Sequence, residues 1–235
     1  MTTTISFGKD SRVGKRKNNE DAAEIVTRPN AALLVVADGL GGHSGGEIAS
    51  QTLVDTVKDC FISATMEQIQ DHKSFFSYAI ASAHRAIHKA AVEAGKMQLE
   101  PKTTCVIAII HGDLVTWCHV GDSRMYLMRD GMIAFHTTDH VAKGFKKNAP
   151  INRCVGGAEA PVPTLNEPLK LEQGDLLFLC SDGAWHTIKL SDLKSISFKN
   201  PQISLEKLLE VLEKRNPKPS DNVTAIAACY GALMS

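Results

Sequence analysis

The order of apolar segments along the chain predicts an α+β fold in which helices cover antiparallel sheets. Ala31–Ala37 is a short apolar run typical of a buried strand, and it ends in the turn dipeptide Asp38 and Gly39. Two longer segments with apolar residues at helical spacing follow, at Glu47–Ile62 and Ser74–Val92. Because consecutive hairpins come next, rather than alternating strands and helices, a layered α+β domain is favoured over a parallel βαβ fold.

The second half of the chain is predicted to form two hairpins, two further strands and one helix. Short turns separate the strands of each hairpin, at residues 111–113 and 129–131. The predicted strands are Thr103–Ile110, Leu114–Val120, Arg124–Met128, Met132–His136, Leu176–Cys180 and Val223–Tyr230, and the predicted helix is Ser204–Lys214. No repeat or linker divides the sequence, so residues 1–235 are expected to form one domain.

The composition excludes several classes of protein. Lysine plus arginine equals aspartate plus glutamate at 26 each, so no net field favours nucleic acid or a membrane surface. No apolar stretch resembles a secretory signal, and none is long enough to span a bilayer. The six cysteines contain no C-x-x-C pair, and several lie in apolar runs. We therefore expect a cytoplasmic protein with neither disulfides nor a zinc site.

Acidic residues stand next to several of the predicted strands. They are Asp38, Asp122, Asp182 and Asp221, and an earlier polar segment ends in Glu20 and Asp21. Strand ends can bring distant residues to one edge of a sheet, where several carboxylates repel one another unless a cation neutralises them. Oxygen ligands suit hard cations such as Mg²⁺, Mn²⁺ or Ca²⁺ rather than zinc. A single Asp-Gly is most often only a turn, and the pattern alone favours a metal centre about as much as a set of turns.

Five short motifs occur in order along the chain. They are Arg16–Asp21 (RKNNED), Val36–His43 (VADGLGGH), Gly121–Arg124 (GDSR), Ser181–Gly183 (SDG) and Asp221–Thr224 (DNVT). Each is weak alone, but in this order and at compatible spacing they resemble the metal-dependent protein phosphatase family (protein phosphatase 2C type) in its compact bacterial form. The resemblance runs from about residue 5 to residue 231.

The resemblance implies a four-layer sandwich of two antiparallel sheets flanked by helices, with a dinuclear metal centre at one end. Two divalent cations, Mn²⁺ or Mg²⁺, are the implied cofactors. Asp38 would bridge both ions, and the carbonyl oxygen of Gly39 would supply another ligand. Asp182 and Asp221 would complete the coordination of one ion.

The implied activity is the hydrolysis of phosphoserine and phosphothreonine in proteins. A hydroxide bridging the two cations would attack phosphorus directly, without a covalent phosphoenzyme. Arg16 would bind the substrate phosphate, because its planar fork matches two phosphate oxygens. Glu20 and Asp21 would hold or orient metal-bound waters. The expected partners are a phosphorylated protein and a cognate serine/threonine kinase, and the enzyme itself is expected to be a monomer.

Two departures from the family pattern concern the same end of the fold. Leu40 stands where some members have a histidine proposed as the general acid, and His43 nearby is expected to pack against or cap the following helix. Only eleven residues separate Thr138–His140 from Asn152–Gly156, so the mobile flap of bacterial relatives is mostly missing. Asp122 is present, but without that flap a third metal is doubtful.

Three other local patterns favour structural explanations. His84 and His88 lie four residues apart, and a solvated helix face is favoured over a metal site. The basic stretch Lys143–Lys147 is expected to be a solvated loop rather than a recruitment site for an acidic partner. Gly39–Gly46 fits neither the dinucleotide-binding nor the phosphate-loop pattern, and its glycines are expected to let the backbone turn tightly around a metal.

Two other functions are compatible with the same residues. The fold could serve as a pseudophosphatase, a binding or regulatory module, although Arg16, Asp38, Asp182 and Asp221 are all present. Alternatively, the same metal centre could act on small phosphoesters or nucleotides. Activity on phosphopeptides compared with nucleotides separates these alternatives.

Overall fold

A computed structural model describes residues 4–40, 45–144, 149–215 and 221–231. Its strands are β1 (Ile5–Arg12), β2 (Asp21–Arg28), β3 (Ala31–Leu40), β4 (Lys102–Thr103), β5 (Cys105–His111), β6 (Leu114–Val120), β7 (Arg124–Arg129), β8 (Met132–His136), β9 (Thr164–Leu165), β10 (Leu169–Lys170), β11 (Leu176–Cys180) and β12 (Val223–Tyr230). Its helices are α1 (Gly45–Ser63), α2 (Met66–Gln70), α3 (His72–Glu93), α4 (Asp182–Trp185), α5 (Leu190–Leu193) and α6 (Pro201–Arg215), and a 3₁₀ turn occupies Met97–Leu99.

The strands form two antiparallel sheets, as the hairpin-rich sequence predicts. One sheet has the order β1-β12-β11-β7-β8. The other has the order β10-β6-β5-β3-β2, with β4 beside β3 and β9 beside β6. β1 pairs with β12 over its whole length, from Ile5 opposite Tyr230 to Arg12 opposite Val223, so the first and last strands of the chain are neighbours. The α+β prediction is confirmed.

Alternating side chains divide the interior into three hydrophobic cores. Along β3, Leu33 and Val35 belong to the core shared with α1 and α3, whereas Leu34 and Val36 belong to the core between the two sheets. The same period of two occurs in β12, whose opposite face packs against α6. Helices therefore cover both outer faces, and the central strands are buried on both sides, which explains their unbroken apolar runs.

The structure corrects the prediction that Asp38 and Gly39 form a turn. β3 continues through both residues to Leu40, where it pairs with β4, because Thr103 and Lys102 extend the hydrogen-bonded ladder. Glycine is required at position 39 by close packing, since a Cβ there would lie 2.4 Å from the carbonyl oxygen of Gly46. The apolar run in the sequence ends at Ala37, so it does not indicate that the strand continues to Leu40.

The two histidines of α3 do not form a solvated helix face, so that prediction is wrong. His84 is 9% exposed, and its Nδ1 accepts a hydrogen bond from Gly156 N–H at 3.2 Å. His88 Nε2 donates to the carbonyl oxygen of Gly157 at 3.1 Å. Together they fasten the segment after the shortened flap to the helix, a packing that the spacing of two histidines cannot reveal.

Two sequence predictions fall wholly or partly outside the described residues. His43 and residues 145–147 of the basic stretch lie outside the described residues. Lys143, which begins that stretch, is exposed. Within the described ranges, every helix is too short or too polar to cross a membrane.

Candidate metal centre

Acidic residues from both sheets meet at one end of the sandwich. Asp38 lies near the end of β3 and pairs across the ladder with Asp21, the first residue of β2. Asp182 follows β11 at the start of α4, and Asp221 lies two residues before β12. Desolvation, followed by the charges of Asp21, Asp182, Asp221 and Asp122, raises the pKa of Asp38 well above its ordinary value. The sequence-predicted carboxylates therefore form one electrostatic cluster.

The carboxyl groups of Asp38 and Asp182 lie close enough together for each to shift the pKa of the other. Desolvation and then the charge of Asp221 raise the pKa of Asp182, while the contact with Asp38 lowers it. One carboxylate oxygen of Asp182, Oδ1, is buried without a hydrogen-bond partner in the described part of the chain. A desolvated carboxylate oxygen without a donor is costly, so this atom suits a cation ligand.

Asp21 lies where the two sheets meet. Its Oδ2 accepts a hydrogen bond from Ser181 Oγ at 2.7 Å, and Ser181 is the residue before Asp182. Desolvation raises the pKa of Asp21 to about 7, against the opposing hydrogen bonds from Ser181 and Thr224. The charges of Asp182 and Asp221 raise it further. Asp21 is thus held beside the cluster by a hydroxyl group from the opposite sheet.

Asp122 lies in the turn that connects β6 to β7. It is 9% exposed, and its Oδ1 has no hydrogen-bond partner among the described residues. Desolvation, then the charges of Asp182 and Asp139, raise the pKa of Asp122 to about 7. Its backbone carbonyl accepts a hydrogen bond from Trp185 Nε1 at 2.8 Å. The turn is therefore attached to α4, the helix that begins with Asp182.

Arg124 connects that turn to the segment before the shortened flap. Its guanidinium makes two hydrogen bonds to the carboxylate of Asp139, at 2.8 and 2.7 Å. The same group lies 3.5 Å from the centre of the Trp185 ring, within cation–π range. The charge of Asp139 raises the pKa of Asp122, whereas the charge of Arg124 lowers it.

Arg16 reaches the same end of the fold. Its Nη2 donates to Asp221 Oδ2 at 2.8 Å, and the two side chains remain 50% and 40% exposed. Asn222 holds the loop that carries Arg16, because its Nδ2 donates to the carbonyl oxygens of Val13 and Asn18, at 2.9 and 3.1 Å. An exposed guanidinium beside the acidic cluster is suitably placed to bind an anion.

Glu20 lies between the cluster and the first turn of α1. Its backbone oxygen accepts hydrogen bonds from Gly39 N–H at 3.0 Å and from Ser50 Oγ at 2.6 Å. Its side-chain Oε2 lies beside Gly46, where an added Cβ would approach it to 3.0 Å. Glu20, Gly39 and Gly46 thus form a closely packed junction of backbone and carboxylate oxygens.

The donor set fits a hard divalent cation. In the ranges that the structure describes, no three His, Cys, Asp or Glu side chains are grouped closely enough to form a complete ligand cage. The available donors are oxygens, two of them buried and without partners on Asp182 and Asp122. Carboxylates whose pKa is raised by desolvation and by one another gain stability from a bound cation.

Comparison with known proteins decides the family. The model of the family described as Protein phosphatase 2C matches residues 10–222. This chain belongs to the protein phosphatase 2C family. Protein phosphatase PhpP of Streptococcus pneumoniae is 25% identical over 226 residues, covering 89% of this chain and 91% of PhpP. Serine/threonine protein phosphatase PstP of Mycobacterium tuberculosis is 30% identical over 241 residues, covering 91% of this chain but 42% of PstP.

Solved protein phosphatase 2C structures share the fold. A serine/threonine phosphatase of S. agalactiae superposes with a TM-score of 0.81 at 24% identity, covering 96% of this chain and 99% of that one. The catalytic domain of PstP, solved in complex with two manganese ions, gives a TM-score of 0.81 at 27% identity, covering 97% and 99%. The predicted four-layer sandwich is confirmed.

Several residues around this protein phosphatase 2C site had no role in the sequence predictions. They are Thr104, Ser123, Asp139, Trp185 and Asn222. Most stand within or beside the five motifs, so motif position is the one signal that could have found them. Their functions depend on hydrogen bonds between distant segments, which no local pattern shows.

Proposed function

We propose that this chain is a metal-dependent protein serine/threonine phosphatase in which residues 1–235 act as one catalytic domain. The observation that carries the proposal is the meeting of Asp21, Asp38, Asp122 and Asp182, from both sheets, with carboxyl pKa values raised by desolvation and mutual repulsion. Membership of the protein phosphatase 2C family supports the activity.

We propose two divalent cations, Mn²⁺ or Mg²⁺, as cofactors. Asp38 would bridge them, the carbonyl oxygen of Gly39 would add a ligand, and Asp182 and Asp221 would bind one of the ions. When bound, such ions lower the pKa of water and offset the charge of a phosphoryl group. The two manganese ions in the related PstP domain support this assignment. Asp122 offers an oxygen for a further ion, but the shortened flap argues against a third metal.

The chain's own residues orient the substrate and water. The exposed guanidinium of Arg16 would bind two phosphate oxygens and offset their charge, since a planar fork matches that geometry. The Asn222 side chain keeps the loop of Arg16 beside Asp221. Glu20 and Asp21 would accept hydrogen bonds from water at the cluster. Leu40 has no dissociable proton, so it cannot protonate the leaving hydroxyl group.

We further propose a phosphorylated protein as substrate and a serine/threonine kinase as the opposing enzyme. The related proteins PhpP and PstP are protein phosphatases, which supports a phosphoprotein substrate. The balanced charge of the chain favours neither nucleic acid nor a membrane surface as partner. We propose that the protein acts as a monomer in the cytoplasm.

The experiment compares metals, substrates and two matched variants. Protein treated with EDTA is assayed on a phosphothreonine peptide and on nucleotides, before and after addition of Mn²⁺. We expect Mn²⁺ to restore turnover of the peptide, and Asp182→Asn to abolish it. Asp113→Asn is the control, because Asp113 is an exposed residue in the hairpin between β5 and β6, at the other end of those strands from Asp122.

Each other outcome identifies one of the rival functions. Turnover of nucleotides without turnover of the peptide would show a small-molecule phosphoesterase. A folded native protein that remains inactive with every divalent metal and substrate would contradict catalysis and favour a binding module. Equal loss of activity in Asp113→Asn would show that the assay reports folding rather than the metal centre.

A further inference from the structure

Thr104 occupies a fully buried position between Asp38 of β3 and the turn that carries Asp122. It lies between β4 and β5, and its side chain is 0% exposed. Ser123, in the turn that carries the chain from β6 of one sheet to β7 of the other, is 1% exposed. Neither hydroxyl group is explained by the proposed chemistry. Buried hydroxyls are retained only where they are hydrogen-bonded, so their partners indicate what they hold.

On one side, Thr104 is bound to the backbone of Asp38. Thr104 N–H donates to the carbonyl oxygen of Asp38 at 2.9 Å, and the N–H of Asp38 donates to Thr104 Oγ1 at 3.2 Å. Thr103 Oγ1 donates to the same carbonyl at 2.8 Å. Both backbone polar groups of the proposed bridging residue are therefore held by this pair of threonines.

On the other side, Thr104 is bound to the turn that carries Asp122. Its Oγ1 lies 2.7 Å from Ser123 Oγ, and because a hydroxyl can accept one hydrogen bond while donating another, it serves Asp38 and Ser123 together. Its methyl group fills the space beside Gly121, where an added Cβ would come within 2.6 Å of Thr104 Cγ2. One side chain thus contacts both acidic segments.

We propose that Thr104 is a positioning residue whose hydroxyl group fixes Asp38 relative to Asp122 and thereby sets the metal-binding geometry of the site. The inference rests on the proposed function and adds a residue to it. A purely structural threonine would contribute to stability alone. A positioning residue must also alter the affinity and the environment of the bound cations when its hydroxyl is removed.

The test uses substitutions that separate the hydroxyl from the methyl group. Thr104→Val removes the hydroxyl at nearly constant volume, Thr104→Ser keeps it, and Ser123→Ala removes its partner. The control is Thr56→Val, which removes a hydroxyl that bonds within α1, to the carbonyl oxygen of Thr52. Mn²⁺ affinity is measured by calorimetry, the electron paramagnetic resonance spectrum of the Mn²⁺-loaded protein is recorded, and unfolding is followed in EDTA.

We expect Thr104→Val to weaken Mn²⁺ binding by about 10- to 100-fold, as loss of a supporting hydrogen bond around a metal typically does. The spectrum should change with it. Thr104→Ser and Thr56→Val should stay close to the native affinity and spectrum. Ser123→Ala should also weaken Mn²⁺ binding. In the double variant of Thr104→Val and Ser123→Ala, the loss of binding free energy should be smaller than the sum of the two single losses, because both substitutions remove the same hydrogen bond.

Three results would overturn the inference. One is a lower unfolding temperature in Thr104→Val with native Mn²⁺ affinity and spectrum. The second is loss of affinity in Thr104→Ser but not in Thr104→Val, which would assign the effect to the methyl contact with Gly121. The third applies if Thr104→Val does not fold: it is a native Mn²⁺ affinity in Ser123→Ala. A native protein that neither binds Mn²⁺ nor hydrolyses the peptide would instead contradict the proposed function itself.

Discussion

Asp38 occupies an electrostatic environment that opposes its own ionisation. Desolvation and the charges of neighbouring aspartates raise its carboxyl pKa well above the ordinary value. Asp21 and Asp122 have pKa values raised to about 7. The folded state therefore binds more protons than the unfolded state between the ordinary pKa and the raised ones, so these groups reduce stability as pH rises through that window. At neutral pH these carboxyl groups therefore destabilise the metal-free fold, and bound cations would relieve that destabilisation.

We predict that Asp38→Asn stabilises the metal-free protein while abolishing activity. In EDTA at pH 7.5 its unfolding temperature should exceed that of the native protein, by about 2–4 °C for each 1 kcal/mol of repulsion removed in a chain of this size. At pH 5 the difference should shrink, because protonation neutralises the native carboxyl group. Calorimetry at both pH values checks this. If Asp38→Asn and the native protein had the same unfolding temperature at pH 7.5 and also at pH 5, the carboxylates of the cluster would not repel one another.

Gly183 separates Asp182 from the rest of α4 and has no room for a side chain. A Cβ there would lie 2.1 Å from the carbonyl oxygen of Asn222, the residue after Asp221. Gly183→Ala should therefore push α4 away from β12, costing about 1–3 kcal/mol of stability, as overpacking typically does, and weakening Mn²⁺ binding. Gly157→Ala is the control, because its nearest atom, Cys154 Sγ, would be 3.4 Å away. Calorimetric titration of both variants measures the difference, and equal affinities would contradict the account.

At the scale of elements, the segment before the shortened flap is fastened to the turn that carries Asp122. His140 N–H donates to the carbonyl oxygen of Gly121 at 2.9 Å, and Gly121 N–H donates to His140 Nδ1 at 3.1 Å. Directly afterwards, Val141 forms an isolated bridge with Ile151, the residue before the Asn152–Gly156 segment. The support for the acidic turn therefore persists although the flap is short.

A second element-scale contact lies at the opposite ends of β7 and β11 from Asp122 and Asp182, and its role is structural. Arg129, at the end of β7, makes two hydrogen bonds to Asp175, which is 1% exposed, at 2.9 and 2.7 Å. Asp175 Oδ2 also accepts a hydrogen bond from Glu172 N–H at 2.8 Å. These contacts hold the turn before β11 against the end of β7.

We predict that Arg129→Met destabilises the protein without changing Mn²⁺ affinity. The cost should lie below the 3–5 kcal/mol that is typical of breaking a buried pair, at about 2–3 kcal/mol, because the Arg129 side chain is 26% exposed. The control is Lys214→Met, which removes an exposed partner of Glu210 and should hardly change stability, because exposed ion pairs contribute little. Urea denaturation followed by circular dichroism measures both values. If Arg129→Met changed the free energy of Mn²⁺ binding as much as the free energy of unfolding, this contact would not be independent of the metal site.

At the scale of the whole molecule, the layers follow from patterns visible in the sequence. The unbroken apolar run at Ala31–Ala37 predicts a strand buried on both faces, and the structure places it between two cores. The two long helices and both hairpins are likewise found near their predicted bounds. Hydrophobic period and turn residues carry this information, because they act over a few neighbouring positions.

Other features depend on contacts between distant segments and could not be predicted. The pairing of β1 with β12 joins the two ends of the chain, and strands of two residues, such as Lys102–Thr103, are too short to show a period. The motifs located Asp38 and Asp182, but not the hydroxyl of Thr104 that bonds to the backbone of Asp38. Such partners become visible only when the sheets are assembled.

The central claim is that the sandwich brings carboxylates of both sheets together to hold two metal ions. Diffraction from crystals grown with Mn²⁺, recorded near the manganese absorption edge, tests it most directly. The account predicts two anomalous peaks, about 3.5–4 Å apart, with Asp38 between them and Asp182 and Asp221 beside one of them. Crystals that show an ordered Asp38 but no peak there, or manganese only at distant surface sites, would contradict it.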